Sequence, residues 1–179
     1  MPRIPGLRGV ASWLALGVLL ACAYPAGQAR AYEDQLTLGV GAGYAGLGSS
    51  ALPRHGLLLD VSGSVGLSDV LTLRARFSCS EHPAARPLHV LVAATELLYL
   101  WDVTGLVPYL GAGIDQLDRI REGRVDVNGG AHLVGGLDYL WSRQMTLELD
   151  LRSCLLFTAL RRDPLYLALT ASMIFVFDR

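Results

Sequence analysis

Between Gln35 and Phe177 apolar and polar side chains alternate with a period of two, in eight stretches separated by turn-forming residues. That period sends successive side chains to opposite faces of a β-strand. The last stretch shows it most clearly: Leu165, Leu167, Leu169, Ala171, Met173, Phe175 and Phe177 share one face, and Thr170 and Ser172 lie on the other. Gln35–Tyr44 and Leu57–Leu67 repeat the pattern, with Leu38, Val40, Leu59 and Val61 on the apolar face and Asp60 opposite. In Val70–Cys79 the apolar face is Leu71, Leu73, Ala75 and Phe77, and the other carries Arg74 and Arg76. Leu88–Trp101 alternates least, because Val90 to Ala94 is apolar on both faces. Val107–Asp115, Val127–Leu140 and Met145–Leu155 complete the set. The stretches between, including the charged run Gln116–Arg124, read as loops or turns.

An apolar face that persists to the chain's end suits a strand whose outer side meets hydrocarbon and whose edges are sealed by barrel closure. The predicted fold is all-β: an eight-stranded antiparallel up-and-down transmembrane β-barrel. An even strand number puts both termini and the short turns near Ser68, Asp102 and Ser142 on one side, the periplasm. Aromatic residues cluster near strand ends, including Tyr44, Phe77, Tyr109, Phe157 and Tyr166. Tyr99, Trp101, Tyr139, Trp141, Phe175 and Phe177 form the predicted periplasmic girdle.

The inward face carries Asp60, Arg74, Arg76, Glu96, Asp115, Asp138, Glu148, Asp150 and Arg152. An eight-stranded barrel is filled by its side chains, and charges inside it must pair. The expectation is an internal network centred on Arg74, Arg76 and Arg152 that plugs the lumen. Arg119, Arg121, Arg124, Arg161 and Arg162 fall in loops on the outer side, as candidates to meet lipopolysaccharide phosphates. The other reading of these arginines is a solvated rim.

Composition adds the cellular setting. Arg3 and Arg8 precede a short apolar run at 11–23, and Ala29-Arg30-Ala31 is a signal-peptidase site. Residues 1–31 are thus expected to be a signal peptide and 32–179 the barrel domain. Leu19-Leu20-Ala21-Cys22 offers an alternative, lipoprotein-type cleavage. The formal net charge of −1 becomes more acidic once Arg3, Arg8 and Arg30 are removed, which argues against a nucleic-acid partner. Cys79 and Cys154 fall on strands on opposite sides of the barrel and are expected to be unpaired.

Gly41, Gly43 and Gly46 spell G-x-G-x-x-G, but Leu47–Pro53 cannot supply the helix that a dinucleotide fingerprint needs. Glycines on the inner face of a narrow barrel explain the run. The four histidines are scattered, so neither a metal nor a cofactor is expected.

Thr170, Ser172, Phe175 and Phe177 resemble the C-terminal assembly signal of bacterial outer-membrane barrels, with Ser in the usual Gly position and two residues after the last Phe. With the Val-Pro-Tyr-Leu-Gly-Ala-Gly run at 107–113, the chain resembles the small outer-membrane β-barrel family of OmpA and OmpX type. The resemblance implies an integral outer-membrane location and, as partners, membrane lipid and the barrel assembly machinery. It does not imply one activity. A non-enzymatic structural or surface-interaction role is the leading expectation. The alternatives are a lipid A-modifying enzyme, drawing on His55, His82, His89 or His132 with Ser78, Ser80 or Ser153, and a soluble lipid-binding barrel with its faces inverted.

Overall fold

The computed structural model describes residues 35–48, 54–85, 87–101, 105–160 and 164–177. The signal-peptide reading, Arg161 and Arg162 lie outside them. Eight strands run β1 Leu36–Leu47, β2 His55–Gly66, β3 Leu71–His82, β4 Leu88–Leu100, β5 Leu106–Arg121, β6 Arg124–Ser142, β7 Met145–Leu156 and β8 Leu165–Phe177. Each pairs antiparallel with its sequence neighbours, and β8 pairs with β1 from Leu36↔Phe177 to Leu47↔Tyr166, closing the barrel.

The register fixes the shape. Followed once around the sheet, Leu36 leads to Val65, Leu73, Leu97, Ala112, Leu133, Ser153, Leu167 and back to Gly46, a stagger of ten residues. A stagger of that size tilts the strands by roughly 40° and leaves an interior that side chains can fill.

Alternation sorts the faces as expected. Leu57, Leu59 and Leu133 stand outside with 77%, 68% and 65% of their surface exposed, while Arg74, Arg76 and Glu96 stand inside at 3%, 2% and 1%. A soluble barrel would show the reverse. At the end that carries the termini, the turns at Ser68 and Ser142 are short and locally tied. Ser68 Oγ accepts a hydrogen bond from Leu71 N at 3.1 Å, and Ser142 Oγ accepts one from Gln144 N at 3.3 Å. Trp141 sits in the register shift between Leu140 and Ser142, a bulge that ends the β6–β7 ladder.

Two expectations are corrected. The Gln116–Arg124 stretch is not a loop: β5 and β6 continue as a paired hairpin to Arg121↔Arg124. Glu122 and Gly123 make its two-residue turn with φ of 51° and 77°, the positive pair that a type I′ hairpin requires. The charged residues there do not break the strand: Leu117 and Arg119 keep the inward period of two, at 0% and 6% exposure, and charge is excluded only from a face that meets hydrocarbon. Second, Tyr109 and Tyr166 point into the lumen, at 3% and 1% exposure, and belong to no girdle. The inner face also holds an apolar layer, described next.

Candidate functional site in the barrel lumen

The lumen is layered along the barrel axis. Its middle layer is the charge network. Arg74 donates from Nε to Glu96 and from Nη1 to Glu148, and its Nη2 lies 3.9 Å from Asp150. Its guanidinium stands 5.3 Å over the Tyr109 ring, a cation–π contact. Arg76 reaches Asp60 at 3.3 Å, Glu96 at 3.4 Å, Glu148 at 3.2 Å and Asp150 at 2.5 Å. The planar fork of Arg, with its five donors, permits this sharing among several carboxylates.

His132 extends the network toward β5. Its Nε2 is hydrogen-bonded to Glu96 at 2.9 Å, and its Nδ1 lies 2.9 Å from Asp115. A ring protonated on both nitrogens is the form that serves two acceptors. Gly113 makes the space: a Cβ there would overlap the His132 ring and the Thr95 carbonyl. The inner-face glycines thus accommodate larger neighbours.

Arg152 departs from its expected place at the centre. It is 1% exposed, its nearest carboxylate is Asp60 at 4.0 Å, and none of its nitrogens has a hydrogen bond. It sits at the edge of the network, where β7 leaves the acids of the middle layer behind. Asp138 is also peripheral. Its Oδ1 is buried without a hydrogen bond, and its cross-strand partner is another acid, Glu148.

The sequence reading missed the layer toward the loop end. Leu58, Leu88, Val90, Val92, Leu117, Leu156 and Tyr166 pack there in one apolar cluster, each at 1% exposure or less. Ser80 and His82 lie beside this layer, their side chains hydrogen-bonded at 3.1 Å and buried at 1% and 0%. They are the one serine–histidine pair among the enzyme candidates that the structure joins. Both are buried, and the Ser80 hydroxyl also lies 3.4 Å from that of Tyr166. Toward the termini the lumen widens into a cavity of about 420 Å³, which includes Thr37, Ser64, Tyr109, Asp138 and Thr146 in its wall.

Outside, Tyr99, Trp101, Tyr139, Trp141, Phe175 and Phe177 are all exposed on the outer face at the end that carries the termini. Tyr99 and Trp101 meet edge-on at 5.2 Å. Of the arginines read as lipopolysaccharide contacts, Arg124 is exposed and Arg121 partly so. Arg119 is corrected: alternation continues along the extended β5, so it turns inward and is 6% exposed. Cys79 and Cys154 are both free thiols. No cluster of three or more metal-ligating side chains occurs among the described residues.

A closed sheet, apolar outside and charged within, is the architecture of the small outer-membrane β-barrels. Solved structures agree in fold. Neisserial surface protein A superposes with a TM-score of 0.71 over 81% of this chain and 100% of its own, at 15% identity. The N-terminal barrel of Pseudomonas aeruginosa OprF gives 0.58 over 81% and 98%, also at 15% identity. Yersinia pestis Ail, the attachment invasion locus protein, gives 0.56 over 81% and 99%, at 9% identity. No protein-family model matches the chain, and no curated protein is similar to it in sequence.

Proposed function

We propose that this chain is a non-enzymatic integral protein of a bacterial outer membrane, with a structural or surface-interaction role and a lumen closed to solute flow. The observation that carries this is the pairing of a lipid-suited exterior with an interior blocked twice, by the charge network and by the apolar layer. The end that carries the termini and the girdle then faces the periplasm, and the β5–β6 hairpin projects from the cell.

The tip of that hairpin is the surface that supports an interaction. Arg121 and Arg124 are the last cross-strand pair. Like charges directly opposite are destabilising, and an anion between them relieves the repulsion. A lipopolysaccharide phosphate is the anion at hand on an outer leaflet. Ail, of the same fold, has been crystallised with sucrose octasulfate, a heparin analogue.

One preparation tests both levels. The wild-type chain should partition to the outer-membrane fraction, require detergent for extraction and retain lipopolysaccharide through purification. Arg121→Gln combined with Arg124→Gln should partition identically and lose most of that lipopolysaccharide. Recovery in the soluble periplasmic fraction would overturn the integral reading; equal retention by the variant would overturn the phosphate contact.

A further inference from the structure

We propose that the cavity at the periplasmic end of the lumen binds a small organic cation of the ammonium class, anchored on Asp138; its orientation, though not its chemistry, rests on the outer-membrane reading above. The cavity, of about 420 Å³, has room for such a ligand.

Charge accounting within the lumen points to the ligand's sign. Six carboxylates face inward: Asp60, Glu96, Asp115, Asp138, Glu148 and Asp150. Against them stand Arg74, Arg76, Arg152 and His132, with Arg119 inward at the level of Val90, so the acids still outnumber the cations. Asp60 meets Arg76, and Glu96, Glu148 and Asp150 each meet both Arg74 and Arg76. Asp115 meets His132. Asp138 has no cationic nitrogen within 4 Å among the described residues, although it lies directly opposite Glu148 in the β6–β7 ladder. Two acids facing each other across a ladder repel, more so in a poorly solvated lumen. A cation at Asp138 removes that cost.

The cavity wall supplies the remaining contacts. The Tyr109 hydroxyl is buried beside Glu148 with no hydrogen bond of good geometry, and the residue is 3% exposed. Its ring lies over Gly136, where any Cβ would overlap it, so the β5–β6 pairing holds the hydroxyl at the cavity. Thr37 and Ser64, joined at 2.6 Å across β1–β2, line the opposite side and can accept from an ammonium. Leu98 and Ile174, from β4 and β8, add apolar surface to the wall that suits a short alkyl tail. Arg143 stands exposed at the mouth, where it competes with an incoming cation.

The test titrates butylammonium into the purified barrel in a maltoside detergent at neutral pH, following backbone amide shifts around Asp138. Butanol and butyrate serve as the neutral and anionic probes of the same size. Saturable binding of butylammonium alone is expected. Asp138→Asn should weaken it at least about tenfold, or ~1.4 kcal/mol. Asn keeps the shape and removes the repulsion with Glu148, so this variant should fold and keep its heat-modifiable migration. Arg143→Gln should bind more tightly than wild type. A flat butylammonium titration, as expected if a proton neutralises Asp138 instead, overturns the site. So does equal affinity in Asp138→Asn, or binding of butyrate. Partition to the outer membrane is measured separately, so these failures leave the location of the protein untouched.

Discussion

Two layers share the lumen and exclude water by different means: the ion network around Arg74 and Arg76, and the apolar cluster around Val90, Leu117 and Leu156. The network is an all-or-none device. Each arginine serves several acids, so removal of one leaves carboxylates stranded where desolvation is costly. The apolar layer is graded. Each side chain contributes roughly its own transfer energy, and loss of one leaves a cavity that its neighbours partly close. Equal burial thus gives unequal fragility.

The largest effect should come from Arg76→Leu. It strips contacts from Asp60, Glu96, Glu148 and Asp150 together. The expected loss is ~3–5 kcal/mol, read as a shift in the urea midpoint of the folded-to-unfolded transition in detergent or liposomes. A smaller effect than that of an apolar truncation would reverse the contrast between the layers.

Leu156→Ala probes the other layer. Leu156 is 0% exposed and packs among the inward leucines and valines of β2, β4 and β5. The expected loss is ~2–3 kcal/mol, at the low side of such truncations, since the layer borders the loop end, where side chains can close in. The same urea transition measures it. A loss as large as that of Arg76→Leu would mean that the apolar layer, too, fails as a unit.

The two layers also differed in how far they could be read from sequence. Arg74, Arg76, Glu96, Asp115, Glu148 and Asp150 stand out against an alternating apolar background, so period two assigns them to the lumen. Leu58, Val90, Val92 and Leu117 are apolar on the face expected to be polar. They erase the alternation, and the weak pattern of Val90–Ala94 was the one visible trace of their layer. Charge misled in the opposite direction at Gln116–Arg124, where the β5–β6 ladder continues through Asp118 and Arg119 although both are charged. Pairings inside the network were not legible either. They depend on the ten-residue stagger and on side-chain reach across the lumen, neither of which alternation encodes.

Arg152 sharpens the comparison, because the sequence places it at the centre of the network and the structure places it at the edge. Arg152→Met keeps most of the buried volume and removes a guanidinium that has no hydrogen bond. Desolvating that cation costs several kcal/mol, and Asp60 at 4.0 Å is its one ion-pair partner among the described residues. Asp60 retains Arg76 at 3.3 Å when Arg152 is gone. Relief of desolvation and loss of longer-range attraction should nearly cancel, so the urea midpoint should move by no more than ~1 kcal/mol in either direction. A loss matching that of Arg76→Leu would return Arg152 to the centre and make the network one cooperative unit from Asp138 to the apolar layer. A near-zero change would confine that cooperativity to Arg74 and Arg76, whose hydrogen bonds to the acids make them costly to remove.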